Sequence, residues 1–164
     1  MSTHIKNLVM KVAHHFKQNN LKLTTVESCT GGGLSYWLTS IPGSSEWYER
    51  GFITYSKSAK ITMVNVNPKT IEQFGEVSER TAIEMANGGL KNSLADYCIS
   101  ITGIAGPDGG TTEKPVGTVW IGWGKRNQTT YAKHFIFDGN RDKIRMCSME
   151  SALEELLEGT QSGH

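Results

Sequence analysis

The 164-residue chain carries 17 Lys and Arg against 16 Asp and Glu, a formal charge of +1, with 37% hydrophobic and 20% charged residues. This balance excludes a disordered or fibrous chain and offers no general attraction for nucleic acid or an anionic membrane, so an anionic ligand has to be held locally. No apolar run approaches the roughly 20 residues that span a bilayer, the first turn with His4 and Lys6 lacks a leader core, and Cys29, Cys98 and Cys147 fit neither a disulfide framework nor a CxxC metal site. The expectation is one cytoplasmic domain over residues 1–164, with no metal and no cofactor.

Ile5, Leu8, Val9, Val12 and Phe16 recur at helical spacing, so the chain opens with an amphipathic helix that stops near Asn19 and Asn20. Residues 22–27 read as a strand that enters Ser28-Cys29-Thr30-Gly31-Gly32-Gly33. A second helix follows through Leu34, Trp37, Leu38 and Ile41, ended by Pro42-Gly43. A short capped segment over 44–49 leads to a strand over 51–56 and a brief helix around Ala59, Met63 and Val64. Asn67-Pro68 reads as an N-cap with proline in the first helical position, closing at Gly75. Ser78 caps a longer helix with inner face Ala82, Met85, Ala86, Leu90 and Leu94.

A β-branched strand over 97–102 empties into a glycine- and proline-dense loop over 103–115, a length that is uncommon unless functional. Strands over 116–124 and 129–137 flank the polar turn 125–128 and should pair as a hairpin. A last helix starts near Asn140 and buries Ile144, Cys147, Leu153, Leu156 and Leu157, leaving 159–164 to fray. Alternating strands and helices with one late hairpin predict a three-layer α/β/α sandwich around a mixed, mostly parallel sheet. Ligands in such sheets sit at the strands' carboxyl ends, where Ser28, Tyr55 and Thr102 all fall, so one crevice can collect them.

Three stretches can carry chemistry. The loop 28–33 opens a helix whose free N–H groups suit an anion; read more plainly, it is a tight strand-to-helix turn. Cys29 within it is either a nucleophile with a helix-lowered pKa or a buried, inert thiol. Pro42-Gly43-Ser44-Ser45, Tyr55-Ser56 and Lys60 allow a serine activated by a lysine, provided burial or nearby positive charge depresses the lysine pKa from about 10.4. Equally, Ser44 or Ser45 simply caps a helix and Lys60 lies on a solvated face. The loop 102–110, continuing to Thr118, is read as ligand-facing, its backbone N–H groups forming an anion nest or oxyanion hole with Thr102 as a further donor. Arg141 at a helix start opposes the macrodipole, which a bound phosphate would explain, as would an ion pair to Asp138 or Asp142. The histidines show no metal-ligand spacing, and the tryptophans are assigned to the core, with Trp47 the one that could border the site.

In order and spacing, Glu-Ser-Cys-Thr-Gly-Gly (27–32), Pro-Gly-Ser-Ser (42–45), Gly-Phe-Ile-Thr-Tyr-Ser (51–56), Ala59-Lys60, Val-Ser-Glu (77–79), Thr-Gly-Ile-Ala-Gly-Pro-Asp-Gly-Gly (102–110) and Lys-Pro-Val-Gly-Thr-Val-Trp (114–120) resemble the CinA C-terminal domain family over nearly the whole chain. The resemblance implies a five-stranded sheet, often a homodimer, and an amidohydrolase that converts nicotinamide mononucleotide (NMN) to nicotinate mononucleotide and ammonia. It puts Ser45, Lys60 and Tyr55 in the catalytic roles, with Ser45 preferred to Ser28 as nucleophile. Ser28, Thr102 and Arg141 fall on positions tied to activity or substrate, and Thr30, Gly31, Gly103 and Gly106 are expected to line the binding loops. Lys57 departs from the Tyr-Ser-Asn usual in relatives. The alternatives are a non-catalytic nucleotide-binding or regulatory module and a Cys29 hydrolase.

Overall fold

A computed structural model of the protein describes residues 3–161. Helix α1 (Thr3–Gln18) buries the stripe Ile5, Leu8, Val9, Val12 and Phe16 read from its spacing. It is followed by β1 (Leu23–Glu27), α2 (Gly33–Leu38), β2 (Tyr48–Ile53), α3 (Lys57–Val64), α4 (Pro68–Phe74), α5 (Glu79–Lys91), β3 (Tyr97–Gly103), β4 (Thr118–Lys125), β5 (Tyr131–Ile136) and α6 (Arg141–Gln161). The five strands form one sheet in the order β2-β1-β3-β4-β5. Strand β1 pairs in parallel with β2 and β3, while β4 runs antiparallel to both β3 and β5, so the late hairpin inserts the one reversed strand. Helices cover both faces. One core joins α1, α2 and α6 to Leu23, Ile99, Ile101, Val119 and Ile121, and the other joins α3, α4 and α5 to Val26 and Cys98. The period-2 alternation of strand side chains divides β1 and β3 between these two cores. No helix among the described residues is long and apolar enough to cross a membrane.

Asn67 and Ser78 cap α4 and α5 through the N–H groups of Lys69 and Thr81, as their positions before Pro68 and the Ala82 stripe predict. Other boundaries move. Strand β2 begins at Tyr48 rather than Gly51, because the Tyr48 hydroxyl is bonded to Thr25 and Ser35, while Ser56, assigned to the strand by its sequence, caps α3. Helix α2 ends at Leu38, where the hydroxyls of Thr39 and Ser40 take the carbonyls of Ser35 and Trp37. Leu94 lies outside α5 and is 78% exposed; the helix is closed by Arg126, which donates to the carbonyls of Leu90 and Ser93. Cys147 is half-buried. Helix α6 continues through Gly159 to Gln161 instead of fraying at 159; residues 162–164 lie outside the described part.

The register matters most for function. Glu27 is level with Ile53 on one side and Ile101 on the other, so β1 and β2 end together and β3 runs two residues further. Ser28 and Thr54-Tyr55, just past the ends of β1 and β2, and Thr102, in the last residues of β3, emerge along one edge of the sheet.

Candidate active site

The turn after β1 is organised by a buried carboxylate that the sequence does not single out. Glu27 Oε1 accepts from the Thr30 hydroxyl at 2.6 Å and the Leu34 N–H at 2.8 Å. Its Oε2 accepts from the Ser35 N–H at 2.9 Å and the Ser35 hydroxyl at 2.6 Å. Gly32, the residue before α2, has a φ of 96° and no side chain to cap the helix, so Glu27 caps it from the neighbouring strand. The expected anion site at the start of α2 is therefore filled by the protein's own carboxylate. Thr30 is fully buried against Glu27 and is not among the residues that line the cleft beside Ser28.

With the turn held in this way, the Ser28 hydroxyl faces Lys60. Ser56 caps α3 by accepting from Ala59 N, which places Lys60 one turn into the helix, pointing inward. Lys60 is 1% exposed, so it lies on no solvated face. Its Nζ donates to Ser28 Oγ at 2.9 Å and to the carbonyls of Thr54 and Tyr55, each at 3.0 Å. Burial lowers the Lys60 pKa, and the Glu76 carboxylate, with Oε1 at 3.5 Å from Nζ, opposes that shift. Carbonyl oxygens only accept, so two of the amine hydrogens are committed to Thr54 and Tyr55. A neutral Lys60 has only those two hydrogens, and a lone pair is left for the Ser28 O–H. This is the arrangement a serine nucleophile needs from its base.

Ser45 is not part of this group. It lies exposed in a 3₁₀ turn (Ser44–Glu46) ahead of β2, whereas Lys60 meets the segment that follows β2. Six strand residues separate the two ends, about 20 Å at roughly 3.3 Å per residue. Tyr55 reaches Lys60 and Ser28 through its main-chain carbonyl, and its ring is 60% exposed. Thr102 is buried and donates its hydroxyl to the carbonyl of Glu76 at 2.8 Å, which fixes the segment carrying Glu76. Gly103 and Gly106 are explained by packing: a Cβ at Gly103 would lie 2.7 Å from a Val119 methyl, and one at Gly106 would collide with Val116. Trp47 is fully buried at the opposite end of the sheet, packed on Phe16 and Tyr48.

Helix α6 braces both loops. Arg141 donates to the carbonyl of Gly106 at 2.8 Å, and Arg145, one turn later, donates to the carbonyl of Thr30 at 3.1 Å, beside Gly31. Ser28, Cys29, Tyr55, Lys60, Glu76, Val77, Thr102, Gly103 and Arg141 line one open cleft of about 250 Å³. Cys29 is an unsuitable nucleophile there: it is 7% exposed, and burial pushes its thiol pKa up to about 11. We expect iodoacetamide at neutral pH to alkylate the half-buried Cys147 well before Cys29, as followed by peptide mass mapping; preferential Cys29 labelling would contradict this assignment.

A family model described as the CinA C-terminal domain matches residues 5–160. Nicotinamide-nucleotide amidohydrolase PncC of Escherichia coli K12 is 45% identical over 152 residues, which cover 93% of this chain and 92% of that protein. The PncC of Pseudomonas putida is 39% identical over 158 residues, covering 96% and 98%. Among solved structures, the competence/damage inducible protein CihA from Agrobacterium tumefaciens superposes with a TM-score of 0.94 at 40% identity, covering 96% of each chain.

Proposed function

The chain belongs to the CinA C-terminal domain family, and from that premise we propose that it hydrolyses the carboxamide of NMN to nicotinate mononucleotide and ammonia, with Ser28 as nucleophile and Lys60 as base. The substrate class is supported by the name nicotinamide-nucleotide amidohydrolase carried by relatives that match 93% and 96% of the chain. The mechanism is supported above all by one contact, the buried Lys60 Nζ lying 2.9 Å from Ser28 Oγ while two carbonyls hold its other hydrogens.

Neutral Lys60 takes the Ser28 proton as Oγ attacks the carboxamide carbon. The tetrahedral intermediate collapses with cleavage of the C–N bond, and the lysine ammonium returns the proton to the departing nitrogen, which leaves as ammonia. Water then attacks the acyl-serine ester, again deprotonated by Lys60, which releases the carboxylate and restores Ser28. The N–H of Cys29, directly after the nucleophile in the chain, receives the developing oxyanion in this reading. Arg141 at the cleft wall supplies the cation for the nucleotide phosphate, in place of the helix start occupied by Glu27.

The protein works in the cytoplasm, where three free cysteines stay reduced, and as a homodimer, for which Ile53 on the edge strand β2 and Tyr36, 52% and 69% exposed, supply apolar surface. Light scattering after size exclusion tests the dimer. The decisive assay is ammonia release from NMN by the purified protein. Lys60→Ala is expected to lower kcat by about 10³-fold or more, as loss of an activating base does. Wild-type turnover in that variant would overturn the mechanism, and NMN binding without ammonia release would make the chain a nucleotide-binding module.

A further inference from the structure

Glu76 takes no part in the steps above, and nothing in the sequence pattern points to it, yet its surroundings are unusually restrained. The main chain on both sides of it is tied down carbonyl by carbonyl. Lys114 Nζ donates to Phe74 O at 2.8 Å, the hydroxyls of Ser78 and Thr81 donate to Gly75 O at 3.0 and 2.7 Å, and Thr102 donates to Glu76 O at 2.8 Å. Four side chains from the β3–β4 loop, β3 and the start of α5 thus fix three successive carbonyls. The side chain so placed is 45% exposed, lines the same cleft as Ser28, and sets its Oε1 3.5 Å from the nearly inaccessible Lys60 Nζ.

We propose that Glu76 is a positioning residue for Lys60: its carboxylate tethers the ammonium end beside Ser28 and governs how readily Lys60 gives up the proton that blocks its role as base. This rests on the serine–lysine reading of the cleft. A negative charge at this distance favours the protonated lysine, against the burial that favours the neutral one. The two influences oppose each other at Lys60, with burial the larger, and Glu76 is the one in contact with solvent.

Other charged and titratable groups stand on the elements packed around Lys60. Cys29, from the turn after β1, is held protonated up to about pH 11. Glu27 at the end of β1 is bonded to α2 and Thr30. Tyr55, after β2, presents its carbonyl to Lys60. Arg141 of α6 lies across the cleft, bonded to Gly106 O, and Lys57 on α3 itself is exposed. From α5, which meets α3 at Val64 through Gly88, Glu84 is bonded to the Asn67 N–H and the Thr70 hydroxyl.

The sign follows directly. Removing the charge in Glu76→Gln destabilises the lysine cation, so neutral Lys60 appears at lower pH and the acid limb of kcat/KM for NMN moves down by about one pH unit. Glu76→Asp keeps the charge and is expected to return the limb most of the way. Two readouts are needed: the kcat/KM profile, and the pH titration of the Lys60 side-chain ¹³Cε signal by NMR, which does not depend on turnover. A downward shift in both supports the proposal. A titration and an acid limb that both superimpose on wild type overturn it, even if kcat falls uniformly with pH. If Lys60→Ala retains turnover, the base reading itself has failed, and the NMR titration still tests the Glu76–Lys60 coupling separately.

Discussion

Ser28→Ala is expected to reduce kcat for ammonia release by about 10³-fold or more, whereas Ser45→Ala stays within about twofold of wild type. The asymmetry comes from sheet geometry. Ser28 Oγ is one hydrogen bond from Lys60 Nζ; Ser45 lies exposed at the other end of β2. Because Ser28 is buried next to a cleft rather than inside a core, losing its hydroxyl should leave the melting temperature little changed, so the lost rate can be assigned to chemistry. Acid quench and intact-mass measurement should find the acyl adduct on the peptide carrying Ser28. An active Ser28→Ala enzyme, or an inactive Ser45→Ala enzyme with unchanged stability, would return the nucleophile to the 3₁₀ turn.

The largest loss of stability is expected from Glu27→Gln. The glutamate accepts four hydrogen bonds in a fully buried position, two at each oxygen. A glutamine can keep one pair, but its amide group then faces the Ser35 N–H donor to donor, and a buried N–H is left unsatisfied. Such a loss costs about 2–3 kcal/mol, equivalent to a fall of roughly 5–10 °C in Tm for a chain of this size. Thermal unfolding followed by circular dichroism checks it. A Tm within a degree of wild type would mean that Glu27 does not hold the start of α2. Turnover should fall as well, since the turn that carries Ser28 is built on the same carboxylate.

The layer architecture was legible because it rests on periodicities that the chain displays openly: the stripe of α1, the β-branched run of β3, and the caps Asn67-Pro68 and Ser78. Lys60 was legible only in the company of its neighbouring motifs, since a lysine in isolation reads as surface. The preference for Ser45 over Ser28 comes from the family resemblance; Ser45 is the nearer to Lys60 along the chain, but a strand lies between them and separates them in space. Parallel pairing of β1 and β2 does the reverse and makes Ser28 and Tyr55, 27 positions apart, neighbours at one edge. Glu27 and Glu76 left no signal. A carboxylate ending a strand and another in a short connection look like ordinary polar residues until the N–H groups of α2 and the ammonium of Lys60 are seen in front of them. The glycines of the 102–110 loop carry a second reason that the sequence hides, because the close contacts of Gly103 and Gly106 with Val119 and Val116 are tertiary.

Arg141 and Arg145 sit one turn apart on a single helix, and each holds one of the two loops that contribute to the cleft, at Gly106 and at Thr30. The aperture is therefore gauged by α6, and the loops inherit it. Between the two arginines, Ile144 is buried in the layer shared with α1, and its carbonyl takes the Ser148 hydroxyl. A change in packing under Ile144 would tilt both arginines together and alter the fit of a nucleotide that Ile144 never touches. On the proposed function, core substitutions in that far helical layer are expected to change KM with the reacting groups unaltered.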